Sequence, residues 1–238
     1  MIATRHGDVS VLGRDGDIDI SSQHGDVSVS DINGKVNLNL DHSSARVSQV
    51  ASDVTIEGRA DDVSIEDIKG AVHLNGDFTE SVKLAKIAKP VSFKSARTAM
   101  EFSKLDGDLD LDSGDLEVND ITGPVRLETR AKDIRVSGVS GDLRLQDQDG
   151  AVEVHVNKVG SMEVDNRQGD IQIYLPDRAS FQVDAHARKM CIRDRPWRVA
   201  ITAAALRGTE ISRSLVTGWS PAPWVSAFTV SSLPLTVI

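Results

Sequence analysis

Pairs of apolar residues, separated by a single residue, recur along most of the chain. Nineteen such pairs lie between Val9 and Ile173, and thirteen of the eighteen intervals between their first members are nine residues. Only the pair that begins at Val47 has a polar second member, Gln49. Alternation of apolar and polar residues over a few positions is typical of a strand with one buried face. A fixed repeat of such strands predicts a solenoid, in which each turn buries its apolar face against the next.

The corners between strands indicate a repeat of eighteen residues. After every second strand an apolar residue lies five positions beyond the first member of the pair: Ile32, Ile68, Ile87, Leu105, Ile121 and Val139. The strands between them have a polar residue at that position: Gln23, Asp41, Arg59, Asp77, Arg130, Gln148 and Arg167. We therefore predict that residues 1–188 form an all-β parallel β-solenoid (β-helix) with two strands per coil. About nine coils would make a rod roughly 43 Å long.

The composition divides the chain near residue 188. The last fifty residues carry a net charge of +4, against −13 for residues 1–188, and they contain Cys191 and all three tryptophans. The segment Met190–Arg195 resembles the translation of a sequencing adapter that has been read through. We expect residues 189–238 to be a non-native or disordered tail that contacts the solenoid only incidentally. A genuine C-terminal extension is the alternative.

Two segments carry a resemblance to a known family. His24–Gly34 (HGDVSVSDING) and Gly114–Gly123 (GDLEVNDITG) are similar to the bacterial β-strand-repeat family that is labelled adhesin, a domain of unknown function. The resemblance covers roughly residues 5–188. It implies an exported or membrane-anchored β-solenoid that usually follows a signal or transmembrane helix, and it implies no catalytic residues. Because this chain opens inside the first coil, we expect Met1 to be an internal start.

Three histidines are the metal candidates of the sequence. His6, His24 and His42 are spaced eighteen residues apart, so stacked coils should place them in a column. Tetrahedral zinc instead needs ligands that converge on one point. We therefore predict a surface column of imidazoles, without a metal and without any other cofactor.

The nine-residue period is also similar to that of calcium-binding β-rolls. Those repeats carry two glycines and an aspartate at fixed offsets, so that adjacent turns enclose the ion. Here each repeat has at most one glycine, which an aspartate follows directly, as in Gly25 and Asp26. We expect these aspartates to form turns by bonding local backbone amides. A calcium-binding β-roll-like repeat is the alternative.

Catalysis would require a cleft that the repeat leaves no room for. β-Helix enzymes that cleave polysaccharides need two carboxylates at a defined separation, and long loops between coils build the cleft around them. No interval between successive pairs here exceeds eleven residues. We predict no enzymatic activity and no catalytic residues; a polysaccharide-active β-helix enzyme is the alternative. The acidic repeat region also argues against nucleic acid as a partner.

The outward residues between the paired apolar positions change along the chain from small and polar to charged. Read by alternate strands, one face is expected to carry Glu101, Glu117, Arg135, Glu153 and Gln172. The other face is expected to carry Asp110, Arg126, Arg144 and Glu163. Side chains on neighbouring rungs lie about 5 Å apart. Opposite charges should therefore adjoin in each column.

These features together predict a non-catalytic structural or adhesin-like module of the bacterial cell envelope. We expect it to bind an unknown cell-surface protein or polysaccharide through its flat polar faces. End-to-end self-association is a further expectation, because the end of a solenoid exposes unpaired strand edges. No stretch of this chain is apolar and long enough to span a membrane. The full-length protein is nevertheless expected to be exported or anchored.

Overall fold

The computed structural model describes residues 1–130, 132–176, 182–186, 199–203 and 226–231. These residues form an all-β parallel β-solenoid of about ten turns, roughly 18 residues apart, which confirms the predicted fold class and repeat. Within the described ranges, no helix is both long and apolar enough to cross a membrane. The junction Met190–Arg195 and the three tryptophans lie outside these ranges.

The described residues form twenty strands in one hydrogen-bonded sheet. The first ten are β1 (Ile2–Thr4), β2 (Val9–Asp15), β3 (Ile18–Ser22), β4 (Gly25–Asn33), β5 (Val36–Val50), β6 (Val54–Ile68), β7 (Val72–Phe78), β8 (Val82–Ile87), β9 (Val91–Lys94) and β10 (Thr98–Phe102). The second ten are β11 (Lys104–Leu111), β12 (Asp115–Asn119), β13 (Ile121–Thr122), β14 (Val125–Thr129), β15 (Asp133–Asp147), β16 (Val152–Asn166), β17 (Ile171–Leu175), β18 (Gln182–His186), β19 (Val199–Ala203) and β20 (Ser226–Ser231).

Each inward pair stacks on the equivalent pair of the next coil. Val27 lies opposite Ala45, and Ala45 lies opposite Val63, so each step is eighteen residues. One continuous cluster of buried apolar side chains extends from Ile18 to Leu175. Residues predicted to belong to this core are between 0 and 2 % exposed: Val27, Val63, Val72, Leu109, Ile134 and Leu143. The predicted aliphatic core is confirmed.

The structure corrects the position of one pair. The inward residues of this strand are Ala45 and Val47, with exposed Arg46 between them, rather than Val47 and Gln49. With Ala45 as the first member, the intervals to the pairs on either side are both nine residues. Val50 then takes the inward corner position, five residues after Ala45, and is 1 % exposed. The repeat is therefore more regular than the aliphatic pattern indicates, because a small alanine fills one core position.

A residue with left-handed backbone precedes the inward residue at one corner of most coils. The non-glycine members have φ between 52° and 57°: Asp31, Gln49, Asp67, Lys86 and Asp120. Gly13 and Gly138 occupy the same position in two other coils, with φ of 62° and 72°. Except for exposed Arg14 in the first coil, the residues that follow the left-handed position are buried in the core: Ile32, Val50, Ile68, Ile87, Ile121 and Val139. The left-handed residue bends the chain so that the next side chain points inward, at a steric cost wherever it carries a Cβ.

One coil runs in the opposite direction to its neighbours. Strands β10 and β11 lie antiparallel to β9 and β8 on one side, and antiparallel to β14 and β12 on the other. A hairpin at each end makes the reversal. Ser95 Oγ accepts the backbone N–H of Thr98 in the first, and Asp112 Oδ1 accepts those of Gly114 and Asp115 in the second. The apolar pairs continue to recur regularly through the reversed coil, because an apolar pair points inward in either chain direction.

Three further strands follow the last regular coil. Strand β19 pairs in parallel with β17, and β20 pairs antiparallel with both β16 and β18. The backbones of β19 and β20 therefore lie in the same sheet as the solenoid, although both come from residues 189–238. The boundary at residue 188 and the non-native origin of the segment beyond it stay predictions.

The left-handed corner predicts opposite effects for two substitutions at exposed Gln49, whose φ is 55°. Gln49→Gly should raise the free energy of unfolding by up to about 1 kcal/mol, because glycine adopts this backbone conformation without a steric penalty. Gln49→Val should lower it by about 1–2 kcal/mol, because a β-branched side chain clashes there. Urea denaturation of the full chain measures both changes.

Ser28 provides the matched control, since it is exposed in the middle of β4 and has no left-handed backbone. There the order of the two substitutions should be reversed, because glycine weakens a strand and valine favours one. The same ranking of glycine and valine at both positions would contradict the assigned corner geometry.

Candidate functional site

The three candidate metal ligands form the predicted column. The ring centroids of His6 and His24 are 5.3 Å apart and those of His24 and His42 are 5.9 Å apart, with an interplanar angle of 8° in each pair. His42 Nδ1 also lies 3.0 Å from Asp41 Oδ1. Parallel rings one rung apart do not converge on a single point. Among the described residues, no group of three or more His, Cys, Asp or Glu could hold a metal ion.

Aspartates at the corners connect neighbouring coils. Oδ1 of Asp17, Asp53 and Asp133 accepts the backbone N–H of the residue eighteen positions later, at 2.8, 3.0 and 2.8 Å. The N–H of Ala71 is the main cause that holds the pKa of Asp53 below its ordinary value. The expected local turn bond is wrong at Asp8, Asp17 and Asp142, which each follow a glycine, because each of these carboxylates accepts a backbone amide of the next coil instead. An amide occupies the oxygen that a β-roll would offer to calcium.

The reversed coil determines which outward side chains are neighbours. The first face carries Ser10, Ser28, Arg46, Ser64, Lys83, Asp110, Glu117, Arg135, Glu153 and Gln172, in rung order. The second face carries Asp19, Asn37, Thr55, His73, Ser92, Glu101, Arg126, Arg144 and Glu163. Both faces are polar along their whole length.

Two of the expected charge neighbours are wrong. Glu101 lies on the second face opposite Arg126 and not beside Glu117. Asp110 lies on the first face, where its Oδ2 is 3.1 Å from the Nζ of Lys83, and not beside Arg126. The antiparallel coil exchanges the faces of these two acidic residues, because β10 follows β9 on the same face instead of crossing to the other.

Beyond the reversal, the expected contacts are confirmed. Arg135 Nε lies 3.1 Å from Glu153 Oε2, and Arg144 Nε lies 3.5 Å from Glu163 Oε2. These pairs are exposed, so each contributes little to stability. They hold the orientation of the charged side chains on both faces.

A hydrogen-bonded cluster on the first face was not anticipated from the sequence. His155 Nε2 lies 2.9 Å from Glu153 Oε1, and the imidazole stacks on Tyr174 with ring centroids 4.1 Å apart. Tyr174 in turn donates its hydroxyl hydrogen bond to Gln172 at 2.9 Å. The hydrogen bond from His155, followed by that from Arg135, lowers the pKa of Glu153. One feature of the sequence could have indicated this cluster: His155 and Tyr174 lie nineteen residues apart, and each comes two positions after a first-face residue.

A ladder of polar residues is buried inside one corner of the C-terminal half. Thr98 and Thr129 share a hydrogen bond of 3.0 Å between their hydroxyl oxygens. Thr129 is followed eighteen residues later by Asp147, which pairs with Asn166 in the next coil. Asp147 is only 4 % exposed, and its Oδ2 has no hydrogen-bond partner among the described residues. Burial is the main cause that raises the pKa of Asp147 to about 6.

Comparison with known proteins identifies the repeat region. A protein-family model described as Toastrack DUF4097 matches residues 2–189. The matched span includes the solenoid through β18 and ends next to the change in composition near residue 188. No curated protein and no solved structure matches the chain.

The corner aspartates predict a stability difference between two variants, at Asp53 and at Asp26, each of which directly precedes the first inward residue of a strand. Asp53→Ala should lower the free energy of unfolding by about 1 kcal/mol, because the N–H of Ala71 loses its acceptor. Asp26→Ala should change it by less than about 0.5 kcal/mol, since no hydrogen bond to the Asp26 carboxylate is found in the described residues. Denaturation at pH 7 measures both variants. Equal effects would show that the bond between coils contributes nothing.

The same bond has a defined pH dependence. Because the folded-state pKa of Asp53 is lowered, its contribution is fully present above the ordinary value of 3.8 and is lost as the pH falls through the folded-state value. The difference between wild type and Asp53→Ala should therefore shrink in acid.

Asp147 predicts the opposite pH dependence. Its folded-state pKa of about 6 exceeds the ordinary 3.8, so the folded state binds the proton more tightly and the wild type loses stability as the pH rises from 4 through 6. Asp147→Asn, which copies Asn166 of the next coil, should be more stable than the wild type by about 1–3 kcal/mol at pH 7.5. The difference should vanish near pH 4. Exposed Asp170→Asn is the control and should follow the wild type at both pH values; an Asp147→Asn curve parallel to the wild type would contradict the assignment.

Proposed function

The chain belongs to the Toastrack DUF4097 family, a domain of unknown function, and on that premise we propose that it is a non-catalytic, adhesin-like structural module of the bacterial cell envelope. The observation that carries the proposal is the uninterrupted core, which extends from Ile18 to Leu175 behind two polar faces. Such a rod presents side chains at fixed spacing to a partner. Binding to this surface costs little conformational entropy, because the backbone is already ordered.

The distribution of carboxylates supports a non-catalytic role. Many of the acidic side chains are engaged along the rod, either by a backbone amide of the next coil, as at Asp17, or by a basic neighbour, as at Asp110. Short corners link the strands from β1 to β17, so no long loops surround a carboxylate pair in that part of the rod. A glycosidase would need two carboxyl groups held beside a bound sugar.

The first coil supports self-association as a second mode of contact. Within the described residues, β1 pairs only with β3 and β2 pairs only with β4, so both leave one strand edge open. Met1 is 97 % exposed and Leu12 is 70 % exposed at this end. Open edges and exposed apolar side chains favour pairing with another chain. The envelope location rests on the resemblance of the repeats to the exported adhesin-labelled family.

The proposal is tested by measuring how the labelled 238-residue chain binds to isolated bacterial cell envelopes. Two variants divide the surface: Arg135→Ser with Glu153→Ser on the first face, and Arg126→Ser with Arg144→Ser on the second. We expect one variant to weaken binding at least tenfold and the other to bind like the wild type, while circular dichroism stays unchanged. Removal of a small set of central contacts typically accounts for most of the binding energy.

Light scattering over a range of concentrations tests the self-association mode, for which the mean mass should rise with concentration. A monodisperse monomer that binds no envelope fraction would refute the proposal. Release of reducing sugar ends from envelope polysaccharide would instead favour the β-helix enzyme.

A further inference from the structure

A polar groove of about 800 Å³ runs along one corner of the N-terminal half of the rod. Two columns of side chains form its walls. The inner ladder consists of Ser21, Asn39, Glu57, Asn75 and Lys94, which are aligned on successive rungs. The outer ladder consists of Gln23, Asp41, Arg59 and Asp77. Five rungs at the spacing of stacked strands span roughly 19 Å.

Glycines let the coils beneath the two ladders stack closely. Gly58 and Gly76 lie on the floor, between the inner and outer positions of their coils. A Cβ on Gly76 would stand 1.9 Å from the backbone oxygen of Gly58, and one on Gly58 would stand 2.1 Å from that of Leu40. Close packing of these backbones excludes any larger residue. The groove is therefore a built feature of the coil stack.

The amides of the inner ladder are available to a ligand. Asn39, Glu57 and Asn75 make no side-chain hydrogen bond to other described residues and are exposed. Asn37 on the same strand as Asn39 behaves differently, since its Nδ2 donates to Asp19 Oδ1 at 2.8 Å. Asn33 likewise donates to Asp15 at 3.3 Å. Stacked Asn and Asp side chains thus pair elsewhere on the rod, whereas Asn39, Glu57 and Asn75 of the inner ladder face solvent. On the outer ladder, Asp41 Oδ1 lies 3.7 Å from Arg59 Nε and 3.0 Å from His42 Nδ1.

The chemistry of the groove favours a neutral ligand rich in hydroxyl groups. Three acidic side chains and two basic ones line it, so it offers no attraction to a polyanion such as nucleic acid. The strands beneath pair with neighbours on both sides, so their backbone groups cannot add a peptide strand. No aromatic or large aliphatic pocket lines the groove for a peptide side chain. The amides can both donate to and accept from adjacent hydroxyls, and the carboxylates can accept from them.

We propose that the groove between the inner and outer ladders binds a linear, neutral polysaccharide chain laid along the rod axis. One sugar unit is close in length to one rung, so each unit would meet the same kind of hydrogen-bonding position. This inference rests on the proposed function and names the chemical class of its partner. Binding through hydrogen bonds without an aromatic platform is weak per sugar and increases with the number of rungs occupied.

Calorimetric titration of the full chain with cello-oligosaccharides and chito-oligosaccharides of three to seven units tests the inference. For at least one series we expect the affinity to rise about threefold with each added unit up to five, and to stay within twofold beyond five. The plateau follows from the five rungs of the groove. Oligogalacturonates of the same lengths should bind at least tenfold more weakly, because their charges meet an acidic surface.

Matched variants locate the site. Asn39→Ala with Asn75→Ala should weaken binding of the five-unit oligosaccharide about tenfold, because two hydrogen-bonding amides are lost. Asn37→Ala, two residues away on the same strand, should bind within twofold of the wild type. Equal thermal midpoints for these three chains show that folding is unaffected.

Several results would overturn the inference: no heat of binding for either series at millimolar concentration, affinity independent of chain length, or equal weakening by the Asn37→Ala control. Tighter binding of a seven-residue alanine-rich peptide would favour a peptide groove instead. If envelope binding persists while every oligosaccharide fails, the groove assignment falls and the adhesin-like role stands. Failure of both would refute the two together.

Discussion

Stacking of each inward aliphatic pair on the pair of the adjacent coil is the interaction on which the whole structure depends. The pairs bury almost completely, as at Val29, Val36 and Val54, and their register places every outward residue directly above its equivalent in the coil below. Because inward and outward residues alternate in every strand, each coil contributes to both the core and the surface. A change of one residue in register would turn the aliphatic side chains outward and the polar ones inward.

The same pairs tolerate a reversal of chain direction, and this property shapes the surface. An apolar pair is symmetric about its middle residue, so Met100 and Phe102 fill the core as well antiparallel as they would in parallel. The outward residues differ from strand to strand, so a reversal of direction changes which of them are neighbours. The reversed coil moves Glu101 and Asp110 to opposite faces from those that simple alternation predicts. The charge pattern that a partner would meet is therefore a consequence of two short hairpins.

The corners contain most of the polar chemistry of the rod. Carboxylates there accept amides of the next coil, left-handed residues turn aliphatic side chains inward, and Asp147 is buried with one oxygen that has no partner in the described residues. These features have opposite effects on stability as pH changes, because Asp53 is stabilised in its charged form and Asp147 in its neutral form. Nearer the N-terminus, along the same corner as Asp147, the glycine-containing coils leave a groove, and its amides are directed outward.

The sequence by itself determined the strand class, the eighteen-residue repeat, the identity of the core and the histidine column, because period-two alternation and fixed spacing follow directly from backbone geometry. Only the tertiary structure decided that Ala45 belongs to the core, since stacking between two valines makes up for its small side chain. The reversal, the charge neighbours and the groove were also beyond the sequence. Each depends on which strands lie side by side, and a symmetric apolar pair carries no information about the direction of its neighbour.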